Sequence, residues 1–424
     1  MSAMPNSEMR APTMRLSMPA LIMTSIYTLG VNVVWLSYNL FLLPILVQNA
    51  TSEQTKATVL GTLVGISTGL AVVVNIMAGI LSDHTRSRFG RRRPMLIWGM
   101  LLTIPFLLLP AFLLPTLPIV CLTYLGMQVF TNVSSGAFQP TLADFVPEEQ
   151  RGISAGLKGL FTSIGSAIGV GASTGLFAIN QVRLAYLLIP ALFALTTIIN
   201  ALAMRPYDKP MPYVSSLKLG SVLSNMFRVQ QRSGGFFWFV FGSFLVYMGA
   251  SGFQFFGVYY IESILHITKQ DAVAHALEIA GLINLVISMI FAVVAGILSD
   301  KLSRRNIIIF SALIAALVGL FFPFARTFLI FLLFSAFYAA SNGVILSVDT
   351  ALTSDLVPLD EAGKYMAYAN LAIGVANGVA PPIFGLILNF QGAPTLFSFI
   401  LFFVVSAIFF ITSGLILALK VPNR

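Results

Sequence analysis

The chain has 424 residues, of which 57% are hydrophobic and 9% charged, with a net charge of +9 and a mean hydropathy of +0.90. This composition excludes an ordinary soluble domain and indicates a protein surrounded by lipid. The single cysteine, Cys121, excludes an intrachain disulfide, and with only three histidines we expect no metal centre and no cofactor.

Twelve apolar segments follow one another along the chain. Each is long enough to cross a bilayer as a helix, which takes roughly 20 residues. They are continuous and lack the two-residue alternation of barrel strands, so we predict an all-α membrane protein with twelve transmembrane helices. The segments span residues 19–47, 57–82, 95–114, 118–143, 152–179, 184–204, 235–262, 276–299, 306–324, 327–352, 363–389 and 394–420.

The basic, proline-containing stretch 205–234 divides these segments six and six. We therefore predict an N-terminal six-helix bundle over residues 1–204, a cytoplasmic linker over 205–234 and a C-terminal six-helix bundle over 235–424. With both termini cytoplasmic, nineteen of the 24 lysines and arginines lie on the inner side and four on the outer side, as the positive-inside rule requires. Topology explains the basic excess, so we expect no nucleic-acid partner. We expect a monomer in an inner or plasma membrane.

Two landmarks recur in the second half of the chain. The hexapeptide Ala78–Asp83 returns letter for letter as Ala295–Asp300, and Asp144-Phe-Val-Pro returns as Asp355-Leu-Val-Pro. Two landmarks in the same order, at nearly the same offset, indicate an internal duplication. Because each copy has an even number of helices, both copies have the same orientation, related by an axis along the membrane normal.

With Gly-x-Leu-Ser-Asp followed by arginines after segments 2 and 8, the chain resembles the major facilitator superfamily. The loop Ser82–Pro94 is similar to that of the plant sucrose–proton symporters, and the chain resembles the glycoside–pentoside–hexuronide type of carriers. The resemblance implies two pseudo-symmetric bundles that transport by alternating access. One position departs from it: the sucrose symporters have an arginine where this chain has Gln139, five residues before Asp144, and the neutral amide cannot take that charged role.

Charges inside apolar segments are costly, so Lys158, Asp349 and Asp144 are candidate functional residues. The resemblance implies that segments 4 and 5 face segments 10 and 11 on the cytoplasmic side. We therefore hypothesise that Lys158 pairs with Asp349 or Asp355 when the cytoplasmic gate is shut. The alternative is that Lys158 extends to the interface while Asp349 pairs within its own half.

The aspartates that follow segments 2 and 8 lie near arginines. By resemblance, such contacts hold the outward-open state and release as the halves rock; the alternative is that the arginines only set orientation. The candidate gating residues of these loops are Asp83, Asp300, Arg91, Arg92 and Arg93.

Small residues at four-residue spacing, Gly61, Gly65 and Gly69, allow close helix packing in segment 2. This pattern is compatible with static packing and with a sliding interface between the halves.

A polar solute needs hydrogen-bonding groups at the midplane between the bundles. In segment 1, Asn32, Trp35 and Asn39 share one helical face. Amides with aromatic faces suit a sugar; interhelical packing is the alternative role for each residue taken singly. The predicted substrate-binding residues are Asn32, Trp35, Tyr38, Asn39, Asn132, Gln139, Gln254, Tyr338, Asn342, Tyr368, Asn370 and Asn377.

These observations predict a secondary active transporter of a small polar solute, such as a sugar, coupled to protons or sodium with Asp349 as the candidate carboxylate. The alternatives are an efflux antiporter for lipophilic or cationic compounds, with a more aromatic cavity, and a non-transporting assembly factor or sensor. An enzyme is not expected, since the sequence has no nucleotide-binding glycine-rich loop and no catalytic cluster.

Overall fold

The computed structural model describes residues 15–85, 87–208, 234–356 and 362–421. Within them, twelve helices are long and apolar enough to span a membrane, which confirms the predicted fold class. We number them α1 to α12. Their bounds are Met18–Ala50, Lys56–His84, Arg93–Phe112, Leu117–Phe138, Glu149–Ala178, Val182–Ala203, Gly234–Ile264, Gln270–Ser299, Arg304–Phe321, Phe328–Leu356, Ala362–Leu388 and Leu396–Lys420. Most of the predicted linker, residues 209–233, lies outside the described residues.

Two helix ends differ from the predicted segments. Helix α4 stops at Phe138, and a separate short helix, Thr141–Phe145, follows Pro140, whose ring cannot donate the next helical hydrogen bond. Helix α8 begins at Gln270, six residues before the predicted start, because its polar first turn is also helical. Asp271 in that turn interacts favourably with the positive end of the helix dipole.

The two halves repeat one packing scheme. In the N-terminal half, α1 packs on α5 and α6, α3 packs on α4 and α6, and α2 packs on α4. The equivalent pairs recur in the C-terminal half, where α7 packs on α11 and α12, α9 on α10 and α12, and α8 on α10. This correspondence is what a duplicated six-helix unit requires. Between the halves, α2 packs on α11 and α5 packs on α8.

Two helices of the N-terminal half contain a wide, π-type turn. In α1 it spans Tyr38–Leu42, directly before Pro44, and in α5 it spans Gly171–Gly175. The two π segments contact each other, and they also contact α7 and α8 of the other half. Such segments interrupt the regular helical hydrogen bonding and often occur at functional sites.

Aromatic side chains fill the core of the C-terminal half. Phe322 lies 4.8 Å from Phe253 and 4.9 Å from Phe403 between ring centroids, and Tyr260 lies 5.5 Å from Phe331. Phe322, Phe331 and Phe403 are buried. These rings therefore stabilise the packing of α7, α9, α10 and α12.

Candidate functional site

We call the end of the bundles that holds the loops 85–92 and 300–303 the basic face, and the other end the opposite face. At the opposite face a buried ion pair joins the halves. Lys56 at the start of α2 lies 3.4 Å from Glu262 near the end of α7, with side chains only 3% and 9% exposed. Gln48 of α1 donates to the other carboxylate oxygen of Glu262 at 2.9 Å. Lys56 also contacts Glu53, which is exposed.

Further polar contacts surround this ion pair. The Tyr259 hydroxyl donates to the Pro44 carbonyl at 3.2 Å, and the Lys56 ammonium lies 4.8 Å from the centroid of the Tyr259 ring. Gln270 donates to Asn49 at 3.2 Å. We call the cluster of Gln48, Lys56, Tyr259 and Glu262 the outer latch, since it ties α1 and α2 to α7.

A tight seam between α2 and α11 continues from the outer latch. A Cβ added at Gly61 would lie 2.2 Å from the Pro381 carbonyl oxygen, and one added at Gly385 would lie 2.4 Å from the Ala57 carbonyl oxygen. Gly65 packs in the same way on Pro382, whereas Gly69 has nothing within 4 Å. Two glycines of the predicted ladder therefore serve close packing between halves, and the third does not.

The two halves are joined at one end and separate towards the other. Where both partners are described residues, the hydrogen bonds between halves lie at the opposite face. They connect Pro44, Gln48, Asn49, Glu53, Lys56 and Thr58 with Tyr259, Glu262, Gln270, Gly385 and Asn389. Away from these contacts, the predicted site residues Gln139, Gln254 and Asn370 are exposed. The cavity between the bundles is therefore closed at the opposite face and open at the basic face.

A chain of amides and a phenol links α1, α2 and α4 on the N-terminal side. The Tyr124 hydroxyl donates to Asn39 at 2.9 Å and accepts from Gln128 at 3.1 Å. One turn further along α4, Asn132 accepts from Asn75 of α2 at 3.2 Å. The structure thus brings the predicted residues Asn39 and Asn132 into one network. Tyr124, Gln128 and Asn75 complete the network but were outside the predicted set.

The other predicted residues of α1 differ in their surroundings. Asn32 donates to the Thr28 carbonyl at 2.7 Å. The indole nitrogen of Trp35 is buried and has no hydrogen-bond partner among the described residues. Tyr38 is fully buried, and its hydroxyl donates to the Leu107 carbonyl of α3 at 3.2 Å, so it does not join the network.

On the C-terminal side, Asp349 of α10 is 4% exposed and accepts a hydrogen bond from Ser243 of α7 at 2.5 Å. This partner lies in the same half as Asp349. Tyr338 is buried and donates to the Gly249 carbonyl at 3.1 Å, and Asn342 donates to the Tyr338 carbonyl at 2.9 Å. Tyr368 and Asn377 of α11 are partly buried.

Lys158 of α5 forms no ion pair with any described residue. Its ammonium lies 4.4 Å from the centroid of the Phe138 ring at the end of α4, and its carbonyl accepts a hydrogen bond from Thr28 of α1 at 3.3 Å. Lys158 does not contact Asp349 or Asp355 in this conformation. The predicted gating pair is therefore not formed while the basic face is open, and the hypothesis stays a prediction for the state in which that face is closed.

The repeated aspartate and arginine motifs form the same cluster in each half. Arg92 binds Asp83 at 2.5 Å and Asp144 at 2.9 Å, and Arg91 binds Asp144 as well. In the C-terminal half Arg304 binds Asp355 at 2.8 Å and Asp300 at 3.5 Å, beside a surface hollow of about 440 Å³. Each cluster joins helices of one half. Both clusters are formed in this conformation, and their role in gating stays a prediction.

Arg93 is part of a different contact, which the sequence analysis missed. Its side chain donates to the Ala201 carbonyl at 2.7 Å. The backbone N–H groups of Arg91, Arg92 and Arg93 all donate to the carboxylate of Asp208, at 2.9 to 3.2 Å. Asp208 thus caps the N-terminus of α3 from just beyond α6. Gly90, at φ +105°, is required here, since a Cβ would lie 2.3 Å from the Asp208 carboxylate.

Comparisons with known proteins agree with this architecture. The sequence profile of the Major Facilitator Superfamily matches residues 20–289 and 274–424. Citrate exporter 1 of Yarrowia lipolytica (strain CLIB 122 / E 150) is 31% identical over 104 residues, which amount to 24% of this chain and 15% of that protein. The chain therefore spans a small part of the length of that relative.

Three solved structures are similar over nearly the whole chain. A bacterial homologue of the human lysosomal transporter Spinster, inward-facing and unoccupied, has a TM-score of 0.74 and 14% identity, covering 96% of this chain and 100% of that chain. A D-xylose–proton symporter has a TM-score of 0.67 and 17% identity, covering 95% and 97%. The nucleoside transporter NupG has a TM-score of 0.73 and 13% identity, covering 94% and 99%. At these identities the likeness establishes the fold alone.

Proposed function

The chain belongs to the major facilitator superfamily and is a transporter rather than an enzyme, and we propose that it moves a small polar solute by alternating access, driven by a cation gradient. The observation that supports this best is the placement of the contacts between halves. They gather at one face, while a hydrogen-bonded network of amides lies between the helices nearer the midplane. This arrangement is expected of a carrier whose cavity is closed at one membrane face and open at the other.

We assign the basic face to the cytoplasm, because positive charges in membrane proteins concentrate there. On this assignment the structure is inward-open and the outer latch is the closed outer gate. The chain would lie in a cell membrane with both termini cytoplasmic, and it would act as a monomer because each half supplies one wall of the cavity.

The solute we propose is a hydroxylated molecule of the sugar type. Asn39, Tyr124, Gln128 and Asn132 supply paired donors and acceptors in one chain of hydrogen bonds, which suits a molecule with several hydroxyl groups. The Trp35 indole adds a buried N–H that has no partner among the described residues, and an aromatic face on which C–H groups can pack. The D-xylose–proton symporter shares this fold, so the fold can accommodate a sugar.

Asp349 is the proposed coupling carboxylate. It lies seven residues before the end of α10, within an apolar stretch, and its described hydrogen bond comes from the neutral hydroxyl of Ser243. A buried carboxylate without a cationic partner is stabilised by taking up a proton or a metal cation. Protonation, or binding of sodium, would thus neutralise the cavity before it reorients. In the outward-open state, Lys158 would pair with Asp349 or Asp355 to close the inner gate.

Purified protein in liposomes tests the proposal. Uptake of radiolabelled pentoses, hexoses and disaccharides is measured with and without an imposed proton or sodium gradient. We expect at least one sugar to exchange across the membrane and to accumulate when the gradient is present. Asp349→Asn should keep exchange but lose accumulation, because the site can no longer gain and release a charge.

Asp271→Asn is the matched control, since Asp271 is an exposed aspartate in the first turn of α8. It should accumulate the sugar like the unaltered protein. Gradient-driven extrusion of lipophilic cations without sugar movement would instead indicate an antiporter, and sugar binding without any movement would indicate a sensor. Equal accumulation by Asp349→Asn and the unaltered protein would remove Asp349 from the coupling step.

A further inference from the structure

Lys158 is a cation inside the membrane-spanning part of α5 for which no anionic partner is found among the described residues. It lies nine residues after Glu149, where α5 begins, which corresponds to about 14 Å along the helix axis. A lysine at the centre of a membrane-spanning helix destabilises its insertion by roughly 2.5–3.5 kcal/mol, and part of this penalty applies to Lys158. Structural lysines reduce that penalty by pairing with a carboxylate or by reaching the interface. Lys158 has no carboxylate partner among the described residues, and its ammonium lies over the ring of Phe138.

The surroundings of Lys158 place its ammonium on the inner side of the N-terminal half. The α5 face that includes Lys158 packs on α1: Ser154 lies 3.5 Å from Ser25 between hydroxyl oxygens, and a Cβ on Gly165 would meet the Leu29 backbone at 2.3 Å. The ammonium extends past α1 to the end of α4 and is partly exposed. Helices α3 and α6 pack behind α1 and α4, so Lys158 borders the cavity rather than the lipid.

The nearby carboxylates are engaged elsewhere. Asp144 binds Arg91 and Arg92, Asp355 binds Arg304, and Asp349 is buried beside Ser243 in the other half. The cavity open to the basic face therefore presents one positive charge on its N-terminal wall that no described side chain neutralises. Phe138 holds this charge in place through a cation–π contact while leaving its N–H groups free to donate.

We propose that Lys158 binds an anionic group of the solute, and that the solute is a hydroxylated carboxylate such as a sugar acid. This inference rests on the proposed function, because it names the solute class of the same cavity. A single carboxylate matches the charge of Lys158, for which no ion-pair partner is found among the described residues. A doubly charged phosphate would leave a net negative charge in a region of low dielectric constant. Asn132, six residues before Phe138 on α4 and thus about 9 Å along the helix axis, is the member of the amide network nearest along α4 for the hydroxyl groups of the same molecule.

The test compares hydroxylated solutes of equal carbon number, one neutral and one a carboxylate: D-glucitol with D-gluconate, and glycerol with glycerate. Binding to the purified full-length protein is measured by thermal shift and by equilibrium dialysis. We expect the unaltered protein to bind at least one carboxylate ten times or more as tightly as its neutral counterpart. Lys158→Gln should lose this preference while still binding the neutral member, and Lys158→Arg, which keeps the charge, should retain most of it.

The outcomes separate this inference from the proposed function. If neutral members bind or move but carboxylates show no preference, or if Lys158→Gln keeps the preference, the assignment of Lys158 is wrong and the carrier proposal stands. If no member of any pair binds, the proposal of a hydroxylated solute fails and this inference fails with it. A purely structural or gating lysine would change the affinities for neutral and carboxylate members alike.

Discussion

The outer latch allows a quantitative prediction about the conformational equilibrium. Glu262→Gln removes the negative charge opposite the buried Lys56 and weakens the hydrogen bond from Gln48. Removing one partner of a buried ion pair costs about 3–5 kcal/mol when the other charge is left alone. Glu53 remains 2.7 Å from Lys56 and neutralises it in part. We therefore expect the closed outer gate to lose about 2 kcal/mol, since both side chains are hydrated once that gate opens. This is roughly a 30-fold shift towards the outward-open state.

Cysteine accessibility measures this shift. Val47, next to Gln48 near the end of α1, is completely buried. Val47→Cys is introduced together with Cys121→Ala, so that one thiol remains, and its reaction with a membrane-impermeant maleimide is followed with time. Glu262→Gln should accelerate the labelling at least tenfold.

The matched control is Glu53→Gln. Glu53 contacts the same Lys56 but is 66% exposed, so solvent already weakens its interaction and its loss should change the labelling rate by less than twofold. An unchanged rate in Glu262→Gln, or equal rates in the two variants, would refute the assignment of the buried pair as the bond that closes the outer gate.

Three further predictions concern stability and are measured by thermal unfolding in detergent. Gly61→Ala should destabilise the protein by about 1–3 kcal/mol, because its Cβ would overlap the Pro381 carbonyl. Gly69→Ala has open space around it and should leave the stability unchanged. Equal effects of the two substitutions would contradict the close packing of α2 on α11. Asp208→Asn should cost about 1–2 kcal/mol, since three N–H groups at the start of α3 lose their charged acceptor, and it should speed proteolysis near residue 208. Arg92→Met should lower the free energy of unfolding by about 2–3 kcal/mol, because Asp83 and Asp144 lose their buried cationic partner. Arg88→Met, at an exposed position, should leave the stability unchanged.

The helices could be predicted because their signal is local. A run of about 20 apolar residues specifies a spanning helix wherever it occurs, and all twelve predicted segments are helices in the structure. The ends were less predictable, since the polar first turn of α8 looks like a loop in sequence. The π segments of α1 and α5 could not be predicted at all, because they depend on the contacts with α7 and α8.

The site was predicted in part, for a physical reason. Lys158 and Asp349 could be identified because a charged residue inside an apolar segment is easily recognised. Arg92, Asp83 and Asp144 could be identified because the motifs that contain them are repeated in the second half of the chain. Lys56 was counted only as an outside loop residue, and Glu262 was overlooked at the end of its segment. Lys56 and Glu262 matter because their side chains contact each other across the two halves. That contact depends on the conformational state, so the order of residues within either half does not indicate it.

The two π segments imply that the twin bundles are not mechanically equivalent. Both occur in the N-terminal half, at the level where it meets α7 and α8, and the described part of the C-terminal half contains none. A π turn can tighten into a regular α turn, which lengthens the helix slightly and rotates the part beyond it. The N-terminal half would thus change its internal shape when the cavity reorients. The C-terminal half, stabilised by its aromatic core, would move as a rigid body.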